Sequence, residues 1–272
     1  MSGGTAHTLH GAGGPDGRAP VVLVAGAGGA GRIWEHHQVP ALTAAGYRAL
    51  TFDHDADSAP ELAVHIRELL TGLGLPPCPL VGHSLGALAV QELLLTDPHL
   101  VSGAVLAATR GRPDPVGEAM ARAEAAYAES AHAGAGGGLP AEYTAFVALT
   151  QNLSPRTLAD ESAVLDWLDL FELAAPGGAG TVRRAPRTPL PDRLAAYARI
   201  TAPVLVVGFA DDVLAPAPLG REVAAAVPGA RYVHLPDTGH LGFLERPGAF
   251  NSLLLDFLAT LPATTPGAPR AV

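Results

Sequence analysis

The apolar stretch 80–87 constrains the fold of this chain most strongly, because it begins as a strand pattern and ends as a helical one. Between the two patterns lies GHSLG, residues 82–86, which matches GxSxG. A serine on a sharp strand-to-helix turn projects its hydroxyl from the carboxyl edge of a sheet, and flanking glycines let the two backbones pass closely. We therefore predict that Ser84 is a nucleophile; the alternative is a serine that only caps the following helix.

Short apolar strand patterns alternate with helical patterns before and after this stretch. Such alternation predicts βαβ units and hence an α/β fold, with a mostly parallel central sheet covered by helices on both faces. The strand patterns occupy 5–10, 20–25, 47–52, 78–81, 98–108, 203–208 and 230–235, and the helical patterns occupy 33–45, 58–73, 85–96, 219–226 and 249–261.

The alternation stops between 110 and 199, where only helical patterns are clear. They predict a helical lid, inserted after the strand that follows the nucleophile helix. The predicted lid helices occupy 116–130, 141–151 and 155–174. The expected organisation is a flexible leader at 1–19, a core made of 20–109 and 200–261, the lid at 110–199 and a disordered tail at 262–272.

Residues that could activate Ser84 follow the last two strand patterns. A serine hydroxyl needs a base within hydrogen-bond reach, and that base needs a carboxylate to orient it. His240 lies in a turn after the last strand pattern, so we expect it at the sheet edge that carries Ser84. Asp211 and Asp212 both follow the preceding strand pattern, and geometry alone leaves the choice between them open. A surface histidine and a helix-capping aspartate are the competing interpretations.

The composition excludes several other chemistries. The 272 residues carry a formal net charge of −9 without a basic stripe, which argues against binding to nucleic acid or to an anionic membrane. All 17 strongly basic side chains are arginines, so Schiff-base chemistry and a phosphate-binding Walker lysine are excluded. Cys78 is the single cysteine, which excludes an intramolecular disulfide and a thiolate metal cluster.

Metal binding and membrane insertion are also disfavoured. His54, Asp55 and Asp57 could be metal ligands, but three polar residues in one short segment more often form a solvated turn. No apolar run approaches the ~18 residues that a membrane span requires, and no signal-peptide core precedes Val21. We expect a cytoplasmic protein that uses no metal and no cofactor.

The order serine, aspartate, histidine along the chain, together with the Gly-rich loop 26–31 and the predicted lid, resembles the α/β-hydrolase fold superfamily. The resemblance covers residues 20–260. That family usually has an acid four residues before a proline, which favours Asp212, ahead of Pro216, over Asp211 as the orienting acid. The resemblance implies a Ser-His-Asp triad and an acyl-enzyme mechanism.

The resemblance also implies an oxyanion hole formed by the backbone N–H groups of Leu85 and Ala27. The histidine that the family usually places before the glycine of this loop is replaced by Ala25, but only backbone donors are needed. Trp34 falls where the family often has a tryptophan, and we expect it to pack more than to contact substrate. The loop after the third strand pattern is shortened to 54–57, which should open one wall of the site.

Aromatic side chains of the predicted lid are candidates either for the substrate pocket or for the lid's own core. The pocket candidates are Trp34, His54, Tyr127, Tyr143, Phe146, Trp167 and Phe171. The arginines Arg183, Arg184 and Arg187 form a basic cluster that could dock an acyl carrier protein or a carboxylate, although such a run more often forms a solvated surface.

These features predict a serine hydrolase that cleaves an ester or thioester of a small, moderately apolar intracellular metabolite, with secondary metabolism as one setting. An acyltransferase with the same triad is the runner-up. A ligand-binding protein that keeps the fold without turnover is the competing class. C–C hydrolases and cofactor-free perhydrolases share the scaffold, so similarity of fold alone does not choose the substrate. The oligomeric state stays open.

Overall fold

A seven-stranded sheet forms the centre of the molecule. The computed structural model describes residues 6–12, 18–132, 139–174 and 191–262. Within them the strand order is β1-β3-β2-β4-β5-β6-β7; β1 pairs antiparallel with β3, and the other pairings are parallel. The strands are β1 (His7–His10), β2 (Val21–Val24), β3 (Ala49–Phe52), β4 (Cys78–His83), β5 (Val101–Ala107), β6 (Val204–Phe209) and β7 (Arg231–Leu235).

Helices follow most of the strands. The α-helices of the described residues are α1 (Gln38–Ala44), α2 (Ala59–Gly72), α3 (Leu85–Thr96), α4 (Pro115–His132), α5 (Ala141–Asn152), α6 (Pro155–Leu158), α7 (Glu161–Ala174), α8 (Ala217–Ala226), α9 (Gly242–Glu245) and α10 (Pro247–Thr260). Short 3-10 helices occupy Gly31–Trp34, Pro98–Leu100 and Leu194–Arg199. None of the helices within the described ranges is both long enough and apolar enough to cross a membrane.

β2 illustrates how the sheet is buried on both faces. Its four residues, Val21–Val24, are fully buried, and their side chains alternate between two apolar clusters. Val22 and Val24 belong to the cluster that contains residues of α2 and α3, whereas Val21 and Leu23 belong to the cluster that contains residues of α1 and α10. Because alternate residues of a strand point to opposite faces, a parallel strand covered on both faces requires a continuous apolar run.

The parallel strands bring several loops to one edge of the sheet. β4 ends at His83 and is followed directly by Ser84. β6 ends at Phe209, and β7 ends at Leu235, before the turn that carries His240. Because neighbouring parallel strands end on the same side, the loops that carry the predicted serine, acid and base all leave the carboxyl edge of the sheet.

The α/β fold predicted from the sequence is confirmed, with local differences. The helical pattern 33–45 divides into the 3-10 helix Gly31–Trp34 and α1. Pro40 explains the division, because proline lacks an N–H and is tolerated only in the first turn of a helix. α1 begins at Gln38 and so places this proline in its first turn.

Two other patterns also divide. The predicted helix 155–174 forms α6 and α7, because Asp160 interrupts it and accepts hydrogen bonds from the first N–H groups of the second helix. The predicted strand 98–108 begins with a 3-10 turn, since Pro98 cannot donate to a strand ladder. Most of the predicted leader and nearly all of the predicted tail lie outside the described residues.

The segment 115–174, called the helical insertion below, contains α4 to α7 and lies between β5 and β6 in the chain. α5 and α7 pack against each other, and α6 contacts α7. The predicted role of this insertion as a lid, and the predicted division of the chain into core and lid, stay predictions.

Candidate active site

Ser84 occupies the sharp turn between β4 and α3. Its backbone angles, φ 53° and ψ −117°, are rarely adopted by residues with a side chain, and such conformations cost about 1–3 kcal/mol. The surrounding backbone imposes them: the Ser84 N–H donates to the Ala107 carbonyl at 3.1 Å, and a Cβ on Gly82 would lie 2.5 Å from the Gly86 carbonyl oxygen. The turn holds the serine at the amino end of α3, where the helix dipole favours negative charge.

His240 is buried beside the carboxylate of Asp212. Its Nδ1 lies 2.9 Å from Oδ2 and 3.0 Å from Oδ1. Because an ionised carboxylate only accepts, Nδ1 carries the proton, and in a neutral ring Nε2 is then free to accept one. The side chains of His240 and Asp212 are 5% and 0% exposed, so this hydrogen bond is shielded from bulk water.

Two backbone groups also bind the Asp212 carboxylate. Its Oδ1 accepts the N–H groups of Leu214 and Ala215, both at 2.8 Å. Burial by itself would raise the pKa of Asp212, but His240 and these two donors outweigh burial and hold the pKa below its usual 3.8. The carboxylate is therefore charged at neutral pH and can stabilise a protonated His240.

His83, the residue before Ser84, connects the serine turn to His240. Its Nε2 lies 2.8 Å from the His240 carbonyl oxygen, and since a carbonyl only accepts, Nε2 donates. The centroids of the two imidazole rings are 4.7 Å apart, and the His83 ring also packs against Phe243 at 4.8 Å. These contacts hold the turn 236–241, called the histidine turn below, against the end of β4, which the serine follows.

The Gly-rich loop after β2 lies against the same serine. A Cβ on Gly26 would lie 3.2 Å from the Ser84 Cβ and 3.1 Å from Nδ1 of His83. Ala27 is exposed, so the loop borders solvent beside the serine. Leu85 begins α3, and the first N–H groups of a helix have no intrahelical acceptor. Both segments predicted to supply oxyanion donors therefore adjoin the serine.

Glu245 joins the helical insertion to the histidine turn. Its Oε1 accepts the N–H and the hydroxyl of Ser154, at 2.8 Å and 2.7 Å, and its Oε2 accepts the Gly239 N–H at 2.5 Å. The Leu241 N–H also donates to the Asn152 carbonyl at 3.0 Å. The insertion thus supports the backbone on both sides of the buried histidine.

This geometry can be compared with known proteins. The family model described as "Alpha/beta hydrolase family" matches residues 21–253, a range that includes Ser84, Asp212 and His240. The chain belongs to the alpha/beta hydrolase family. The match includes six of the seven strands, from β2 to β7, so it rests on the whole parallel part of the sheet.

Named relatives of this alpha/beta hydrolase extend over nearly its whole length. A Mycobacterium tuberculosis protein named "Putative non-heme bromoperoxidase BpoC" is 46% identical over 257 residues, which cover 90% of this chain and 95% of the relative. A crystal structure of BpoC from the same species has a TM-score of 0.86 at 43% identity, covering 97% of this chain and 98% of that one. A Stutzerimonas stutzeri protein named "Putative carbamate hydrolase RutD" is 33% identical over 267 residues, covering 93% of this chain and 96% of the relative. These similarities identify an enzyme of the alpha/beta hydrolase family.

The predicted pocket residues of this alpha/beta hydrolase lie in different environments. Trp34 is fully buried, with its ring centroid 4.5 Å from that of a phenylalanine of α9, so it packs in the core and does not line an open pocket. Trp167 and Phe171 are half-buried on α7 and stack with centroids 5.5 Å apart. Tyr143 and Phe146, on α5, are 52% and 56% exposed.

A cavity of about 800 Å³ lies between α6, α7 and α9. Trp167 and Leu244 give it apolar walls, and its charged lining is balanced, with two arginines and two acids: Arg156, Arg246, Asp160 and Glu245. Glu245 also binds the Gly239 N–H, so the cavity lies on the flank of the histidine turn.

The two candidate acids differ in what they contact. The Asp212 carboxylate binds the His240 ring, in line with the proline spacing that favours this residue. Asp211 instead donates its backbone N–H to the Thr238 carbonyl at 2.8 Å, and its side chain is half-buried. The catalytic role of either residue stays a prediction.

Two residues in this geometry were not predicted from the sequence. One feature of the sequence could have pointed to His83, because it is a polar ring at the end of an otherwise apolar buried strand. No such feature points to Glu245, because its partners Ser154 and Gly239 come from separate loops and only folding brings them together.

The metal interpretation of His54, Asp55 and Asp57 gains no support. Within the described ranges, no three His, Cys, Asp or Glu side chains are grouped so that they could hold a metal ion. His54 contacts the backbone of the Gly-rich loop instead. Two predictions lie outside the described residues, namely the Tyr127 side chain and the cluster Arg183, Arg184 and Arg187.

Proposed function

We propose that this protein is a serine hydrolase that cleaves an ester or thioester through an acyl-enzyme. Ser84 Oγ bonds to the acyl carbon, its proton passes to Nε2 of His240, and the carbonyl π-electron pair moves onto oxygen. The backbone N–H groups of Leu85 and Ala27 hold that oxyanion. Collapse of the tetrahedral species breaks the bond to the leaving group, which takes the proton from His240. Water then repeats the sequence, releasing the acid and regenerating Ser84.

The observation that carries this proposal is the buried hydrogen bond between His240 and Asp212. It keeps the proton on Nδ1 and leaves Nε2 as the base, which is the tautomer that deprotonation of a serine requires. The ionised Asp212 then stabilises the imidazolium that forms. The hydrogen bond from His83 to the His240 carbonyl adds support, because it joins the base to the residue before Ser84.

The substrate class that fits best is a small, moderately apolar acyl compound. Trp167, which stacks on Phe171, and Leu244 give the cavity on the flank of the histidine turn an apolar wall. The net charge of −9 disfavours polyanionic substrates. The relative named a carbamate hydrolase is consistent with attack on a carbonyl carbon.

The test compares the wild type with Ser84→Ala on p-nitrophenyl esters of increasing acyl length. We expect wild-type hydrolysis, an initial burst of nitrophenol, and a loss of at least about 10³-fold in kcat on removing the nucleophile. An added alcohol acceptor distinguishes transfer from hydrolysis, and we expect water to remain the main acceptor. A wild type inactive on every ester, or an alanine variant as active as the wild type, would refute the proposal.

The relative named a non-heme bromoperoxidase favours a second activity of the same site. Hydrogen peroxide would replace water as the acceptor, so that the acyl group leaves Ser84 as a peracid. The peracid would then oxidise bromide to hypobromite and be reduced to the carboxylic acid. In acetate, peroxide and bromide, acetic acid would acylate Ser84 with release of water, and peroxide would then take the acyl group. Bromination of monochlorodimedone in this mixture should require Ser84, and equal bromination by Ser84→Ala would exclude this activity.

A further inference from the structure

His54, which follows β3, contacts the backbone of the Gly-rich loop after β2. Its Nε2 lies 3.2 Å from the Ala25 carbonyl oxygen, and because a carbonyl only accepts, Nε2 donates. The other ring nitrogen, Nδ1, is buried and has no hydrogen-bond partner among the described residues. Burial is the main reason that the pKa of His54 lies below its usual 6.5, so at neutral pH the ring is uncharged and carries its proton on Nε2.

The backbone after β3 holds the same loop at two further points. The His54 N–H donates to the Gly29 carbonyl at 3.0 Å, and Oδ1 of Asp53 accepts the Gly31 N–H at 2.8 Å. Gly29 has a φ of 60°, and a Cβ there would overlap the carbonyl of His54, so only glycine permits this approach. The residues after β3 therefore clamp the loop at its beginning, middle and end.

Side chains within residues 25–31 cannot fix the conformation of this loop. Residues 25–31 read AGAGGAG, so none of them has a side chain that donates or accepts a hydrogen bond. A Gly-rich backbone also has the most conformational freedom to lose on ordering. Gly26 nevertheless packs against Ser84, and the next residue, Ala27, is the proposed oxyanion donor. The Ala27 N–H belongs to the peptide group that joins Gly26 to Ala27, and the carbonyl of that group accepts the Gly29 N–H at 3.1 Å. A shift of the backbone at Ala25 would displace this peptide group and its donor.

We propose that His54 is a positioning residue for Ala25 and the Gly-rich loop 26–31 that follows it. Its hydrogen bond to the Ala25 carbonyl fixes the backbone so that the Ala27 N–H meets the oxyanion of the intermediate bound to Ser84. This inference rests on the proposed acyl-enzyme function and deepens it. His54 acts through the loop and does not touch the reacting atoms.

Variants of His54 separate this role from simple packing. His54→Phe keeps a ring but removes the donor, whereas His54→Gln offers an amide N–H to the Ala25 carbonyl. Because outright loss of an oxyanion donor costs about 10²–10³-fold, we expect the phenylalanine variant to lower kcat for p-nitrophenyl acetate by about 10- to 100-fold. We expect its KM to stay within about twofold, since the donor acts in the transition state. The glutamine variant should recover most of kcat.

The matched control is His36→Phe, which changes an exposed histidine and should keep the wild-type kcat. A folded His54→Phe variant with wild-type kcat, or equal losses in the phenylalanine and glutamine variants, would overturn the role of His54. Failure of the proposed function looks different, because the wild type itself would then neither hydrolyse esters nor react at Ser84.

A measurement on the wild-type protein tests the same geometry without a variant. In ¹⁵N spectra of histidine-labelled protein, with His54 assigned through its backbone connectivities, we expect the neutral tautomer protonated on Nε2. A ring protonated on Nδ1 would overturn the proposal, because Nε2 could not then donate to Ala25.

Discussion

Three side chains at the carboxyl edge of the sheet are held with little freedom. Ser84 adopts a backbone conformation that its neighbours impose, and Asp212 accepts hydrogen bonds from one imidazole and two backbone N–H groups. His240 is held from both ends, since its ring binds the carboxylate and its carbonyl binds His83. Such preorganisation means that removal of one partner changes the protonation or direction of another.

Asp212→Asn is expected to lower kcat for p-nitrophenyl acetate by about 10⁴-fold. An amide at this position can donate to Nδ1 of His240, which favours the tautomer with the proton on Nε2 and removes the base. Asp211→Asn is the matched control and should keep kcat within about twofold, because Asp211 contributes its backbone N–H. Steady-state kinetics of both variants check this, and the opposite ranking would assign the orienting role to Asp211.

The same carboxylate gives stability a dependence on pH. Since the pKa of Asp212 is lower in the folded protein than its usual 3.8, ionised Asp212 stabilises the fold above that pH. This contribution is lost as the pH falls through the lower folded value, and Asp212→Asn lacks it. The difference in free energy of unfolding between wild type and variant, from urea melts, should therefore shrink below about pH 4. A difference that stays constant or grows below that pH would contradict this.

Whole elements converge on the site through their ends. The amino end of α3 carries Ser84, the loops after β6 and β7 carry Asp212 and His240, and the helical insertion contributes Asn152 and Ser154 to the backing of the histidine turn. The strands of the sheet determine where Ser84, Asp212 and His240 lie. The contact between the helical insertion and the histidine turn depends instead on the hydrogen bonds of Glu245.

Glu245→Ala tests the link between the insertion and the histidine turn. The change leaves the N–H groups of Ser154 and Gly239 without acceptors, so we expect a loss of about 2–4 kcal/mol in the free energy of unfolding. We also expect a lower kcat, since the histidine turn loses its support. Glu142→Ala, on the exposed surface of α5, is the control. Equal melting temperatures and kcat values in both variants would show that the link has no effect.

The accuracy of the limits predicted from the sequence differed from one helix to another. The helix after Ser84 was predicted at its observed limits, 85–96, because its apolar run is continuous and bounded by the GxSxG turn. The single helix predicted at 33–45 is instead a 3-10 helix and α1, because the spacing of apolar residues does not show that Pro40 must lie in the first turn of a helix.

In the whole molecule, contacts between residues far apart in the chain could not be predicted from the sequence. His83 and His240 meet across 157 positions of the chain, and His54 meets Ala25 across 29. Strand order brings these pairs together, and strand order follows from packing of the sheet as a unit. The order of the strand patterns predicted that Ser84, Asp212 and His240 lie at one edge of the sheet, but it did not predict the contacts of His83 and His54.

Cys78 reports on the folding of the whole molecule, because it is the single cysteine and is fully buried in β4. Burial raises the pKa of its thiol to about 12, so the reactive thiolate is scarce in the folded protein. We expect iodoacetamide to modify Cys78 only in denaturant. Rapid modification of the native protein at neutral pH would mean that this part of the sheet opens locally.

Ser84 is proposed to be an activated nucleophile, and a fluorophosphonate probe forms a covalent adduct with such a serine. Intact-protein mass spectrometry of the folded wild type, followed by peptide mapping, should find one adduct on Ser84. The adduct should disappear in Ser84→Ala and form much more slowly in His240→Ala. A folded wild type that gains no adduct, or a Ser84→Ala variant that is labelled as fast as the wild type, would show that Ser84 is not an activated nucleophile.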